Sequence, residues 1–133
     1  MKALAAAPLF AGLSKKELTK LASQTEDLEF QAGMVLCKEG ATGREFFVIV
    51  EGKVDVTKNE RRIASLGPGD FIGEIAIIQQ GPRTATAIAK TPVRLFVLTS
   101  QGFFSLLDNN PGVERKVLRT LATRLAENSK API

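Results

Sequence analysis

The sequence predicts a mainly β domain with helices at both ends. Three observations carry that expectation. Short apolar runs with period-two alternation begin at Leu28 and recur as far as Leu98. Eight of the 11 glycines (Gly33, Gly40, Gly43, Gly52, Gly67, Gly69, Gly73 and Gly81) fall at turns in that region, a rhythm of roughly 8–12 residues per turn that suits sandwiches and barrels. On either side the apolar residues return to helical spacing. The order is helices, then a β-barrel or jelly roll of about eight strands, then a helix pair.

Residues 1–24 read as helical. Ser14-Lys15-Lys16-Glu17 is a capping box, in which Ser14 accepts from the third helical amide and Glu17 reaches back to the cap. Leu13, Leu18, Leu21 and Ala22 supply its apolar face. Pro8 and Gly12 separate this helix from a shorter one over Ala3 to Ala7, leaving Leu9 and Phe10 as an apolar plug. That early stretch resembles a signal peptide only superficially, because Pro8 and Gly12 interrupt it and Lys15 and Lys16 follow directly.

Strands are expected over Leu28–Phe30, Met34–Cys37, Phe46–Val50, Lys53–Thr57, Arg62–Leu66, Ala85–Ala89 and Val93–Leu98 within a β region spanning 25–99. Glu51-Gly52, Asn59-Glu60 and Gly67-Pro68-Gly69-Asp70 are tight turns. Over 100–130 the chain is helical again. Ser100 is expected to cap a helix over Gly102–Leu107, Asp108 to Asn110 stop it, and Pro111 opens the next. Val113, Val117, Leu118, Leu121 and Leu125 form an apolar stripe that fits packing on the β region or a dimer seam. Ser129 to Ile133 is expected to fray.

With 133 residues, 44% hydrophobic and 24% charged, the chain is one domain that can bury a core. No apolar run approaches the roughly 20 residues that span a bilayer. The formal charge of +4 is scattered among acids, so it describes a solvated surface and gives no pointer to nucleic acid. Cys37 is the one cysteine and there is no histidine. An internal disulfide, a Ser-His or Cys-His arrangement and the commonest metal ligand are thereby removed. No enzyme and no cofactor is expected, and the cytoplasm is the expected location.

The stretch that carries chemistry is Phe71 to Ala89. Gly73 and Glu74 stand together, an apolar turn follows, and Arg83 and Thr84 come nine residues after Glu74. Arg83 lies between a Gly-Pro turn and a strand, which holds its planar fork for a phosphate. Glu74, acceptor-only when ionised, suits a sugar hydroxyl. Gly73 permits close backbone approach, and Glu74–Ile78 could form one helical turn with amides facing an anion. A salt bridge between Glu74 and Arg83 that merely closes a loop is the competing reading.

Ile72-Gly73-Glu74-Ile75-Ala76-Ile77, five residues, then Arg83-Thr84-Ala85-Thr86-Ala87-Ile88-Ala89 resembles the phosphate-binding cassette of the cyclic-nucleotide-binding domain family. That family includes the regulatory subunits of protein kinase A and the bacterial catabolite activator. Leu36 to Gly52 resembles its first glycine-rich signature. The resemblance implies a double-stranded β-helix (jelly-roll) barrel and a regulatory module, binding cyclic AMP with cyclic GMP as the alternative. It also implies that Glu74 accepts from the ribose 2′-hydroxyl, with the amides of Gly73 and Ala76 close to sugar and phosphate. Arg83 would hold the exocyclic phosphate oxygens, assisted by Thr84, while Ile75 and Ile88 pack beside the ligand. Gly33, Gly40, Gly43 and Gly52 would serve turns only.

The chain has no Trp or Tyr and no Phe in its last helix, so a base cap would come from Leu118, Leu121, Arg119 or Arg124. The expected mechanism is ligand-gated repacking of the C-terminal helices toward a fused or separate effector. A degenerate module of the same fold that no longer binds nucleotide is the alternative.

Overall fold

The switch from helical to alternating periodicity falls where the first strand begins. The computed structural model describes residues 8–129; the expected helix over Ala3–Ala7 lies outside them. A 3-10 turn over Pro8–Phe10 leads to helix α1, Lys15–Ser23. Its capping box forms as read, with Ser14 Oγ accepting from the Glu17 amide and Glu17 accepting from the Ser14 amide.

Eight strands follow: β1 Thr25–Phe30, β2 Val35–Cys37, β3 Phe46–Glu51, β4 Val54–Lys58, β5 Arg61–Leu66, β6 Phe71–Ile72, β7 Thr86–Ala89 and β8 Val93–Leu98. Helix α2, Glu74–Gln79, separates β6 from β7, and helices α3, Ser100–Asn109, and α4, Pro111–Ser129, close the described chain. Strand β6 was not legible as a strand, being two residues at the end of the Gly67–Asp70 turn. Thr99 caps α3 in place of Ser100, its hydroxyl accepting from the Gly102 amide. Ser129 belongs to α4.

The strands form two antiparallel four-stranded sheets, ordered β1-β8-β3-β6 and β2-β7-β4-β5. The jelly-roll expectation holds, but the sheets are not closed into a barrel. The chain changes sheet at every connection between consecutive strands except β4–β5, including the corners at Gly52, Gly67–Asp70 and Lys90–Pro92, and β6 pairs with β3 alone. Among the described residues only β4 and β5 form a local hairpin, through Asn59 and Glu60 at φ 52° and 65°, the left-handed pair a type I′ turn requires.

Strand β3 reads as an unbroken apolar run because both its faces are covered. Phe47 and Ile49 point between the sheets with Val54, Ile72, Ala87, Ala89, Val93 and Leu95. Phe46 and Val48 point the other way, toward Leu9, Phe10, Leu18, Phe103, Leu106, Val113 and Val117. The two cores make β3 and β8 a rigid central wall, with Phe46 stacked obliquely on Phe103 at 4.6 Å and on Phe71 at 5.4 Å between centroids. Leu9 and Phe10 are the plug that the sequence suggested.

Candidate functional site

Helix α2 begins at a backbone position that only glycine takes without strain. Gly73 has φ +108°, and a Cβ there would stand 2.5 Å from the Glu45 carbonyl oxygen and 2.8 Å from Arg83 Nη1. The absence of a side chain lets the cassette sit directly on the start of β3. Glu74, Ile75, Ala76 and Ile77 are consequently buried. Glu74 is an unusual residue to find among them, with 1% of its surface exposed.

Arg83 is held at both ends. Its backbone amide donates to Ala41 and its carbonyl accepts from Gly40, each at 2.9 Å. Arg44 straps the same loop to the cassette, Nη1 donating to the Gly43 and Gly81 carbonyls at 2.8 and 2.9 Å. The Arg83 guanidinium, on a residue 5% exposed, lies 5.7 Å over the Phe47 ring. Its Nη2 donates to the Glu45 carbonyl and carboxylate, both at 3.1 Å. A Cβ on Gly43 would fall 2.5 Å from Nε and 2.9 Å from Cζ. Gly43 is therefore more than the turn residue it was expected to be: it leaves the room the guanidinium occupies.

Glu74 and Arg83 do not pair with each other. Glu74 Oε1 accepts from Arg124 Nη1 at 2.5 Å, and Arg124 lies 5.1 Å over the Phe71 ring. Glu74 Oε2 and Arg83 Nη1 are buried without a partner, two of three such side-chain atoms among the described residues. The third, on Asp55, is not in the cleft. Leaving a buried polar group unpaired costs about 1–3 kcal/mol, more when it is charged. Both residues line one opening, so an unpaired acceptor and an unpaired donor belong to the same cleft.

That opening is a cleft enclosing about 120 Å³. Gly73, Glu74, Ile75, Ala76, Arg83 and Thr84 all line it. Ile88 does not, contrary to expectation. Strand alternation turns Ala85 and Ala87 to the cleft and Ile88 to the opposite face of its sheet. The far wall is apolar, from Val56, Ile63, Ala64 and Leu66. Arg124 and Glu127 of α4 also line it, whereas Leu118 is 50% exposed and neither it, Arg119 nor Leu121 lines the cleft. Of the four candidates for a cap, Arg124 alone lines the cleft. Glu127, one turn further on, was not anticipated.

The model of the cyclic nucleotide-binding domain matches residues 27–110. The chain belongs to that family. Over 127 residues, 92% of this cyclic nucleotide-binding domain, it is 31% identical to a CRP-like cAMP-activated global transcriptional regulator of Mycobacterium tuberculosis, covering 57% of that protein. Over 121 residues, 91% of the chain, it is 35% identical to a cyclic nucleotide-gated potassium channel of Rhizobium etli, covering 34% of it. In three dimensions it superposes with a TM-score of 0.85 on the regulatory subunit of a cAMP-independent protein kinase A from Trypanosoma brucei, at 28% identity, covering 98% of this chain and 48% of that one. The chain thus spans about a third to just over half of the length of these three relatives. Among the described residues no helix is long and apolar enough to cross a membrane.

Proposed function

We propose that this cyclic nucleotide-binding domain is a sensor that takes cyclic AMP in the cleft, in preference to cyclic GMP, and needs no cofactor. The observation that carries the reading is the pair of unpartnered buried atoms. Glu74 Oε2 is an acceptor for a ribose 2′-hydroxyl, and Arg83 Nη1 is a donor for an exocyclic phosphate oxygen. Thr84 stands beside Arg83, and the first amides of α2 lack intrahelical partners. The apolar wall from Val56 to Leu66 receives the base, with Arg124 closing over it. The name of the Mycobacterium regulator favours adenine.

In this reading the signal leaves through α4. Arg124 reaches Glu74 across the cleft, so occupancy of the ribose position alters what the last helix is tied to. Ligand shifts the helix only by its differential affinity for the two arrangements. The effector is an attached or separate domain, and the work of the protein is regulation in the cytoplasm, without chemistry. The half-exposed Leu118 leaves α4 able to meet a second copy.

The second reading is a module that has kept the fold and lost the ligand. The superposition on the regulatory subunit of a cAMP-independent kinase favours it, since the fold alone does not select cyclic AMP. Calorimetry with cyclic AMP and cyclic GMP side by side tests both. Micromolar or tighter binding of cyclic AMP and weaker binding of cyclic GMP is expected. No heat, and no thermal stabilisation at millimolar cyclic AMP, would give the case to the second reading.

A further inference from the structure

Arg83 has one terminal nitrogen free and the other already engaged. Nη2 donates to the main-chain oxygen of Glu45 and to its carboxylate Oε2, each at 3.1 Å. The two partners are unequally placed: the Arg83 side chain is 4% exposed and that of Glu45 is 55% exposed. The guanidinium has no room to leave, because Gly43 and Gly73 press their backbones against it. Glu45 has room. Its carboxylate otherwise accepts from the neighbouring Arg44 amide at 3.1 Å, an exposed contact that water replaces readily. Glu45 precedes β3 and lies outside the cassette, so nothing in the cassette's own pattern announces it.

We infer that Glu45 is an internal counter-anion that sets the affinity of the phosphate site. It neutralises Arg83 while the cleft is empty and swings into water when a ligand phosphate takes the guanidinium. Two anions within reach of one guanidinium repel, and more strongly in a half-buried site than in bulk water. The pair that must break is weak, because one partner is mostly solvated. The one that forms is charge-assisted and able to be bidentate. After the exchange the Glu45 carbonyl still accepts from Nη2, so the fork keeps its orientation. The carboxylate therefore positions nothing that the carbonyl does not, and its charge works against the ligand. The inference rests on reading the cleft as a phosphate site.

The test is Glu45→Gln in the full chain, which removes the charge and keeps the shape. Cyclic AMP binding by calorimetry should tighten by about tenfold, a gain of about 1.4 kcal/mol. The ligand-free variant should melt below the parent, because Arg83 loses its counter-charge, while the shift produced by cyclic AMP grows. Glu45→Asp keeps the charge and should stay close to the parent. Unchanged or weaker binding of cyclic AMP by Glu45→Gln overturns the inference, since a merely structural carboxylate can only lose affinity when removed. Inorganic phosphate is the second probe. If cyclic AMP binds neither protein but phosphate stabilises Glu45→Gln more than the parent, the counter-anion stands and the nucleotide reading falls. If neither anion stabilises either protein, both fall.

Discussion

Glu74 and Arg83 line one cleft and each is committed elsewhere, Glu74 to Arg124 on the last helix and Arg83 to Glu45 before β3. The salt bridge that would have made the cassette a closed loop is absent. Each residue spends one polar atom on the protein and keeps one, Oε2 and Nη1, buried without a partner. The arrangement orients both groups without neutralising either against the other. In the proposed reading, a ligand with a hydroxyl and a phosphate at the right separation would complete both at once.

Removing either end should therefore cost affinity in a chemically distinct way. Arg83→Ala strips the donor from a desolvated phosphate and should weaken cyclic AMP by about 3–5 kcal/mol. Calorimetry finding the variant within twofold of the parent would remove Arg83 from the site.

Glu74→Ala should cost about 1.5–3 kcal/mol, the worth of a hydrogen bond to a charged acceptor. The sharper measurement is a cycle with 2′-deoxy cyclic AMP. The analogue should bind the parent more weakly than cyclic AMP does, and the two ligands should bind Glu74→Ala alike. A hydroxyl that matters equally in both proteins is not held by Glu74.

Gly43→Ala tests the cradle. Gly43 has no positive φ, so the methyl's effect comes from its 2.5–2.9 Å approach to the Arg83 guanidinium. Displacing the fork should cost about 1–3 kcal/mol, seen as lost affinity for cyclic AMP. Gly81→Ala, where a Cβ meets nothing within 4 Å, is the control and should bind as the parent does. Equal behaviour of the two variants would return Gly43 to the role of an ordinary turn.

What the sequence made legible was local. The capping box at Ser14 and Glu17, the strand runs, and the Gly73-Glu74 and Arg83-Thr84 groups each occupy a few consecutive positions whose residue types state their task. What it concealed depends on distance. Arg124 meets Glu74 across 50 residues and Glu45 meets Arg83 across 38, and no spacing rule connects such pairs. Gly43 looked like its neighbours Gly33 and Gly40 because a missing side chain gives no sign of what fills its place. Ile88, which the family resemblance places beside the ligand, is turned to the other face of its sheet by the alternation from Ala87. Closure of the sheets is decided at corners such as Gly67–Asp70, whose turn chemistry is the same whether or not the edges meet.

Arg124→Ala should uncouple the last helix. It leaves Glu74 buried with neither oxygen paired. Because the Arg124 side chain is 25% exposed, the cost falls below that of a fully buried pair, at about 1–3 kcal/mol. Hydrogen exchange should report faster opening in the C-terminal half of α4 with the β-sheets unchanged. Uniform loosening of the whole domain would mean that Arg124 holds the fold and not the helix in particular.

Cys37 offers a label inside the cleft it lines. Its thiol is half-buried and donates to the Ala85 carbonyl at 3.7 Å, and burial pushes its pKa above the ordinary value, with the Arg83 charge opposing. For an acid raised on folding, the stabilising contribution is full below the unfolded pKa and is lost as pH rises through the folded one. The thiolate is the nucleophile, so iodoacetamide should modify Cys37 more slowly than a cysteine peptide between roughly pH 7 and 9, and the domain should lose stability on the alkaline side of that window. Saturating cyclic AMP should slow the modification further, because the ligand fills the approach. Intact-mass kinetics at several pH values, with and without ligand, separate the two effects. A rate equal to the peptide's, unaffected by cyclic AMP, would show that Cys37 does not share the ligand's cleft.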